Sequence, residues 1–177
     1  ASYLKVSGGM FRDMTIHDFD LACFILNNDP IVEIFAVGER LFSAEAKEAN
    51  DIDTAMIIMK SKNGVLCHIS NSRHSSYGYD QRVELLGNKG MLISDNQTPT
   101  SVRKYNNETT DSKDPILDFF IERYDIAYKN QLENFVNCII DKKQPVVDFE
   151  DGRNALIIAN AAYESLTTGK AIKIKYN

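Results

Sequence analysis

Apolar positions change their period along this chain. From Gly9 to Leu26 no internal Gly or Pro interrupts a run crowded with Met10, Phe11, Met14, Phe19, Leu21, Phe24 and Leu26, and Asn27-Asn28-Asp29-Pro30 closes it. A long uninterrupted segment with a Pro just past its end reads as a helix. The next segments are rich in β-branched residues: Ile31 to Val37, then Thr54 to Lys60 and Val65 to Asn71 around Asn63-Gly64. Asn-Gly between two such runs predicts a hairpin with a type I′ turn. Val83 to Leu86 and Met91 to Ser94 flank Gly87-Asn88-Lys89-Gly90, and Ser101 to Tyr105 completes an expected meander. Ala55 to Met59 is apolar at every position, which calls for cover on both faces of that strand. Helices can cover one face, and a second subunit is the expected cover for the other.

Two more helices follow. Leu117, Phe120, Ile121, Tyr124, Tyr128, Leu132, Phe135, Val136 and Ile139 recur at helical spacing. A last helix is expected from about Gly152 to Thr168, with Asp151 or Asp148 as N-cap and Gly169 as C-cap, before a short strand over Ala171 to Lys175. Lys104 to Asp114 is the most polar stretch and reads as an exposed loop. Hairpin-connected strands with helices at both ends predict an α+β fold: a mainly antiparallel open sheet covered on one face by helices. No Gly-x-Gly-x-x-Gly fingerprint is present.

Length and composition narrow the classes. The chain has 177 residues, 44% of them hydrophobic, which fits one domain (1–177) with a real core. A net charge of -5, with both signs interspersed, argues against a nucleic-acid partner. No apolar run is long enough to span a bilayer, and no signal segment is evident, so no membrane partner is expected. Cys23, Cys67 and Cys138 are odd in number and each lies in an apolar stretch, so reduced buried thiols and a cytoplasmic location are expected. The chain opens at Ala-Ser-Tyr without Met and reads as part of a longer protein.

The candidate chemistry sits on the first helix. Asp13, His17 and Asp20 fall at i, i+4 and i+7, on one face of an otherwise apolar helix. Three readings fit. An imidazole with an ordinary pKa of about 6.5 can take a hydroxyl proton, with a carboxylate one turn away to orient it. The stripe can equally be a wet helix face. One His and two carboxylates can also bind a divalent ion, although no second His-rich segment supports that. Thr15-x-x-Asp18 matches a capping box, which would start the helix at Thr15 and leave Asp13 in the preceding turn. His68 reads as a satisfied sheet histidine, His74 as a solvated loop residue, and Tyr77 and Tyr79 as packing aromatics on composition alone. Arg73 could contact a cofactor or an acidic neighbour.

The segment Gly8-Gly9-Met10-Phe11-Arg12-Asp13-Met14-Thr15-Ile16-His17-Asp18-Phe19-Asp20 resembles the start of the C-terminal domain in the Gfo/Idh/MocA oxidoreductase family, and within it the inositol 2-dehydrogenases. Asn71-Ser72-Arg73, Tyr77-Gly78-Tyr79-Asp80, Gly87-Asn88-Lys89-Gly90, Asp151-Gly152-Arg153 and Ala161-Ala162-Tyr163-Glu164-Ser165 extend the likeness over essentially the whole chain. The resemblance implies an N-terminal Rossmann domain that holds NAD, outside this chain, and a catalytic Lys there in a Glu-Lys-Pro motif that this sequence lacks. It implies that His17 is the general base on an inositol hydroxyl, that Asp13 orients His17 and bonds the substrate, that Asp20 binds or supports a ring hydroxyl, and that Tyr79 and Tyr77 line the cyclitol pocket. A homo-oligomer, a dimer or tetramer formed through the sheet face, is expected from the two-sided apolar run of Ala55 to Met59. A non-catalytic, sheet-mediated oligomerisation module and a relative acting on another sugar or cyclitol are the alternatives.

Overall fold

Antiparallel pairing and helix cover organise the chain, as the pattern predicted. The computed structural model describes residues 3–176. In chain order the elements are α1 (Met10–Asp13), α2 (Thr15–Leu26), β1 (Ile31–Glu39), α3 (Ala44–Glu48), β2 (Thr54–Ser61), β3 (Leu66–Ser72), β4 (Val83–Gly87), β5 (Gly90–Ser94), β6 (Arg103–Lys104), β7 (Ser112–Lys113), α4 (Phe120–Asp141), α5 (Phe149–Thr168) and β8 (Ile172–Lys173). Within this span the packing forms two compact units, Ala1–His74 with Val146–Asn177, and Ser75–Pro145.

The first unit is built on a four-stranded sheet of order β3-β2-β1-β8, antiparallel at each pairing. Period-2 alternation sorts its side chains. On the inner face Ile34 lies opposite Met59 and Ile172, and Ala36 opposite Ile57, which lies opposite Ile69. Helices α1, α2 and α5 bring Met10, Phe11, Phe19 and Ile158 onto that face, and all four are fully buried. Each such side chain contributes roughly 1.5–3 kcal/mol relative to exposure. Ala155, Ala159 and Ala162 keep the buried side of α5 small, which lets it lie close to β1. Strand β8 pairs with β1 only at Glu33 and Ile34. Beyond that point the buried Ala36 N–H donates instead to Ser165 Oγ of α5 at 2.9 Å.

The outer face is left open. Phe35, Ile58 and His68 form one cross-strand row, and Val37, Met56 and Ser70 the next. Met56 and Ile58 are 54% and 56% exposed, so within a single chain the cover expected on both faces of β2 is present on one face only. His68 was expected to be a satisfied sheet histidine. It stands on this open face without a side-chain hydrogen bond among the described residues.

Several boundaries differ from the sequence expectations for local reasons. The first helix divides at Met14 (φ -113°, ψ -63°) into α1 and α2. The β2–β3 loop is not a two-residue type I′ turn. Gly64 N–H donates to Ser61 O and only Gly64 in the loop has positive φ (+91°), the pattern of a three-residue loop closed by a left-handed glycine. Helix α5 starts three residues early, at Phe149, because Asp148 and Asp151 cap reciprocally. Asp148 accepts from Glu150 N–H and Asp151 accepts from Asp148 N–H, each at 2.8 Å. Helix α3 was not foreseen. Ser43 caps it, accepting from Ala46 N–H at 3.1 Å.

In the second unit the expected meander separates into two-stranded pairs, β4 with β5 and β6 with β7. The Ser101 to Tyr105 strand shortens to Arg103–Lys104, which pairs inside the stretch read as a loop. Gly78 (φ +121°) passes so close to Ile116 that a Cβ there would lie 2.5 Å from its Cγ1. Helix α4 is as expected in place and length, and it buries none of its residues.

Candidate active site

Gly9 opens the site. Its φ of +82° turns the chain into α1, and a Cβ there would fall 2.1 Å from Tyr163 Oη and 3.0 Å from Asp51 Oδ1. Only glycine suits both the dihedral and the space. The approach lets Asp51 Oδ1 accept the first helical N–H, that of Met10, at 3.0 Å. Tyr163 Oη accepts from Phe11 N–H at 3.3 Å and donates to Gly8 O at 3.2 Å.

Arg73 ties this entry to Asp13. Its Nη1 donates to Asp13 Oδ2 at 2.9 Å and its Nη2 to Asp51 Oδ2 at 3.0 Å. The three side chains are only 12%, 13% and 6% exposed, so both ion pairs are largely shielded from water. The Tyr3 hydroxyl donates to the other Asp13 oxygen. Asp13 was expected to orient His17. Both of its oxygens are instead held by Tyr3 and Arg73, and no hydrogen bond joins it to His17 among the described residues.

His17 follows on the next turn. Its backbone N–H bonds Met14 O at 3.2 Å, which carries the helical path across the α1–α2 junction. Its side chain is exposed and makes no hydrogen bond among the described residues. Its electrostatic neighbours are Asp18 and Asp20. Asp18 is not half of a capping box. Thr15 is buried with its hydroxyl unpartnered, and Asn71 Nδ2 of β3 donates to Asp18 Oδ2 at 2.9 Å. Burial pushes the Asp18 carboxyl above its ordinary value, and the Asn71 bond pulls the other way. Asp20 is also raised, by burial first and then by Asp151 at the start of α5. Below it, burial and then Asp20 push the Cys23 thiol to about 11.

Asp13 and His17 thus sit on consecutive turns, with Asp20 one turn further on and near α5. Tyr77 and Tyr79 belong to the second unit. There Tyr77 donates to Asp80 and is 59% exposed. Tyr79 packs edge-on against Tyr124 of α4, centroids 5.8 Å apart. A cavity of about 270 Å³ lies beside the Gly9 network, lined among others by Lys5, Arg12, Asn50, Asp51 and Tyr163; His17 is not in its wall. No group of three or more His, Cys, Asp or Glu positioned to hold a metal occurs among the described residues.

The sequence reading gave no role to Asp51 or Tyr163, and it offered an acidic neighbour for Arg73 without naming Asp13 and Asp51. A signal was there to find. Cys67, Ile69, Asn71 and Arg73 share one parity, and the first two face the core, so Arg73 had to point inward and needed acidic partners.

Comparison with known proteins identifies the family of the chain. The profile of the "Oxidoreductase family, C-terminal alpha/beta domain" (GFO_IDH_MocA_C) matches residues 3–174. The chain is 41% identical over 98% of its length to a myo-inositol 2-dehydrogenase of Thermotoga maritima, covering 51% of that protein. It superposes on a crystal structure of a myo-inositol dehydrogenase from Corynebacterium glutamicum with a TM-score of 0.94 at 49% identity, over 99% of this chain and 52% of that one. A scyllo-inositol dehydrogenase from Lactobacillus casei, crystallised with NAD(H) and scyllo-inositol, gives a TM-score of 0.83 at 27% identity, over 94% of this chain and 48% of that one. The chain therefore spans about half the length of the relatives it matches.

Proposed function

The chain belongs to the Gfo/Idh/MocA oxidoreductase family, as its C-terminal α/β domain, and from that premise we propose that it is the substrate-binding half of an NAD-dependent inositol 2-dehydrogenase. The observation that carries the proposal is the exposed His17 imidazole, without a hydrogen bond among the described residues, one turn from an Asp13 already anchored by Arg73. Neutral His17 accepts the proton of the reacting cyclitol hydroxyl as it becomes a ketone. Each Asp13 oxygen has a lone pair left after Tyr3 and Arg73 are served, so Asp13 accepts from a ring hydroxyl without orienting His17. Asp20 supports the charge that forms on His17.

The described residues do not suit a dinucleotide cradle. The larger sheet is antiparallel throughout, with no strand–glycine turn–helix unit at a parallel edge. NAD would be held by a preceding Rossmann domain, and accepting the hydride is the nicotinamide's chemistry. This chain contributes the grip on the polyol and the destination of the proton.

The open apolar face of the sheet, with Phe35, Val37, Met56 and Ile58 outward, supports assembly into a homo-oligomer by face-to-face packing. Three free cysteines fit a reducing, cytoplasmic setting. No helix among the described residues is long and apolar enough to cross a membrane.

Steady-state assays of the full-length protein with a panel of cyclitols and sugars test the reading. Cyclitol-dependent reduction of NAD is expected. Turnover only with sugars outside the cyclitols would replace the substrate assignment, and no turnover with any polyol would overturn the function.

A further inference from the structure

We infer that Arg73 is a positioning residue for Asp13, coupling the carboxylate that receives the substrate to the entry of α1. The inference rests on the dehydrogenase reading above and gives Arg73, there only an anchor, a measurable effect on turnover. The argument starts from the guanidinium fork. Its two Nη atoms point at two different carboxylates, Asp13 Oδ2 at 2.9 Å and Asp51 Oδ2 at 3.0 Å. Asp51 is itself fixed, because its second oxygen holds the Met10 N–H at 3.0 Å. Arg73 is fixed on its own side too, since its backbone N–H donates to Asp53 O at 2.8 Å, directly after β3. A rigid strand end and a rigid helix start therefore hold one guanidinium, and the guanidinium sets the rotamer of Asp13.

The alternatives are weaker. A purely structural ion pair would be satisfied by Asp51 alone, and Asp13 would then be held only by the hydroxyl of the exposed Tyr3. Arg73 adds the shielded, charged contact to the second oxygen. Lysine could not reproduce the arrangement, because an ammonium on a flexible stem lacks the planar fork that spans two acceptors. Misplacing a catalytic group by about 1 Å costs on the order of 100-fold in rate, so a residue that fixes a carboxylate rotamer acts on turnover without touching the substrate.

A double-mutant cycle in the full-length protein, with Arg73→Lys, Asp13→Asn and the pair, tests this. Arg73→Lys is expected to lower kcat for cyclitol oxidation by roughly 10- to 100-fold, with nicotinamide affinity and the circular dichroism spectrum unchanged. Combined with Asp13→Asn it should add almost nothing, because Arg73 acts through Asp13. Losses that simply multiply, or a fully active Arg73→Lys, would overturn the inference while leaving the dehydrogenase reading intact. An active Asp13→Asn would overturn the inference and the role given to Asp13, while its turnover would itself support the dehydrogenase reading. If Arg73→Lys does not fold, Asp51→Asn serves: its amide can still accept from Met10 N–H, but its NH2 faces Arg73 Nη2 as donor against donor and displaces the fork. A folded Asp51→Asn with lowered kcat supports the inference, and a folded one with undiminished kcat overturns it.

Discussion

Asn71 Nδ2 lies 2.9 Å from Asp18 Oδ2, a single hydrogen bond that fastens the first turn of α2 to the end of β3. It does not fully offset the burial of the carboxylate, whose pKa remains raised from 3.8. A carboxyl raised by folding favours the folded state while protonated, and that contribution is lost as pH rises through its folded pKa. Asp18→Asn keeps an amide partner for Asn71 and removes the charge. Its melting temperature should equal or exceed the parent's at pH 7, and the difference should shrink as pH falls toward 3.8. A variant clearly less stable than the parent at neutral pH would contradict the burial argument.

Asp53 behaves oppositely. Burial pushes its carboxyl up, but backbone N–H bonds from Leu41, Ser43 and Phe42 and the Thr54 hydroxyl outweigh that and bring it to about 2. Its stabilising effect is present above the ordinary carboxylate value and is lost as pH falls toward 2. Asp53→Ala orphans three backbone donors and should cost on the order of 3 kcal/mol in urea unfolding at pH 7. The gap to the parent should narrow in acid.

Gly9→Ala meets both a left-handed dihedral and the Tyr163 hydroxyl at 2.1 Å. A loss of about 3 kcal/mol is expected. Tyr163→Phe in the same chain removes the clashing oxygen and should recover part of it, leaving the dihedral strain. Thermal melts of the single and double variants read this directly.

The open sheet face predicts an assembly effect. Ile58→Lys places a charge in the centre of the Phe35–Ile58–His68 row. Light scattering should show a smaller particle than the parent, with the fold retained. An unchanged mass would move the interface elsewhere.

Much of this architecture was legible in the amino-acid pattern because it depends on local periods. The unbroken apolar run in Ala55 to Met59, the helical spacing around Phe135 and the capping aspartates before α5 each act over a few residues. The candidate stripe of Asp13, His17 and Asp20 was visible for the same reason. What the pattern did not reveal is long-range. Arg73 reaches Asp13 sixty positions away and Asp51 twenty-two away, and Tyr163 reaches Phe11 across 152. The break at Met14 and the short pairing of β8 likewise depend on tertiary packing, which overrides local preference. Thr15 and Asp18 form a capping-box spelling that the fold spends on burial and a bond to the sheet.

The most direct test of the central claim is the turnover of His17→Ala in the full-length protein with a cyclitol and NAD. If His17 receives the hydroxyl proton, kcat should fall by at least about 100-fold, while nicotinamide binding and the melting temperature stay at the parent's values. Near-parental turnover in that variant would contradict the account.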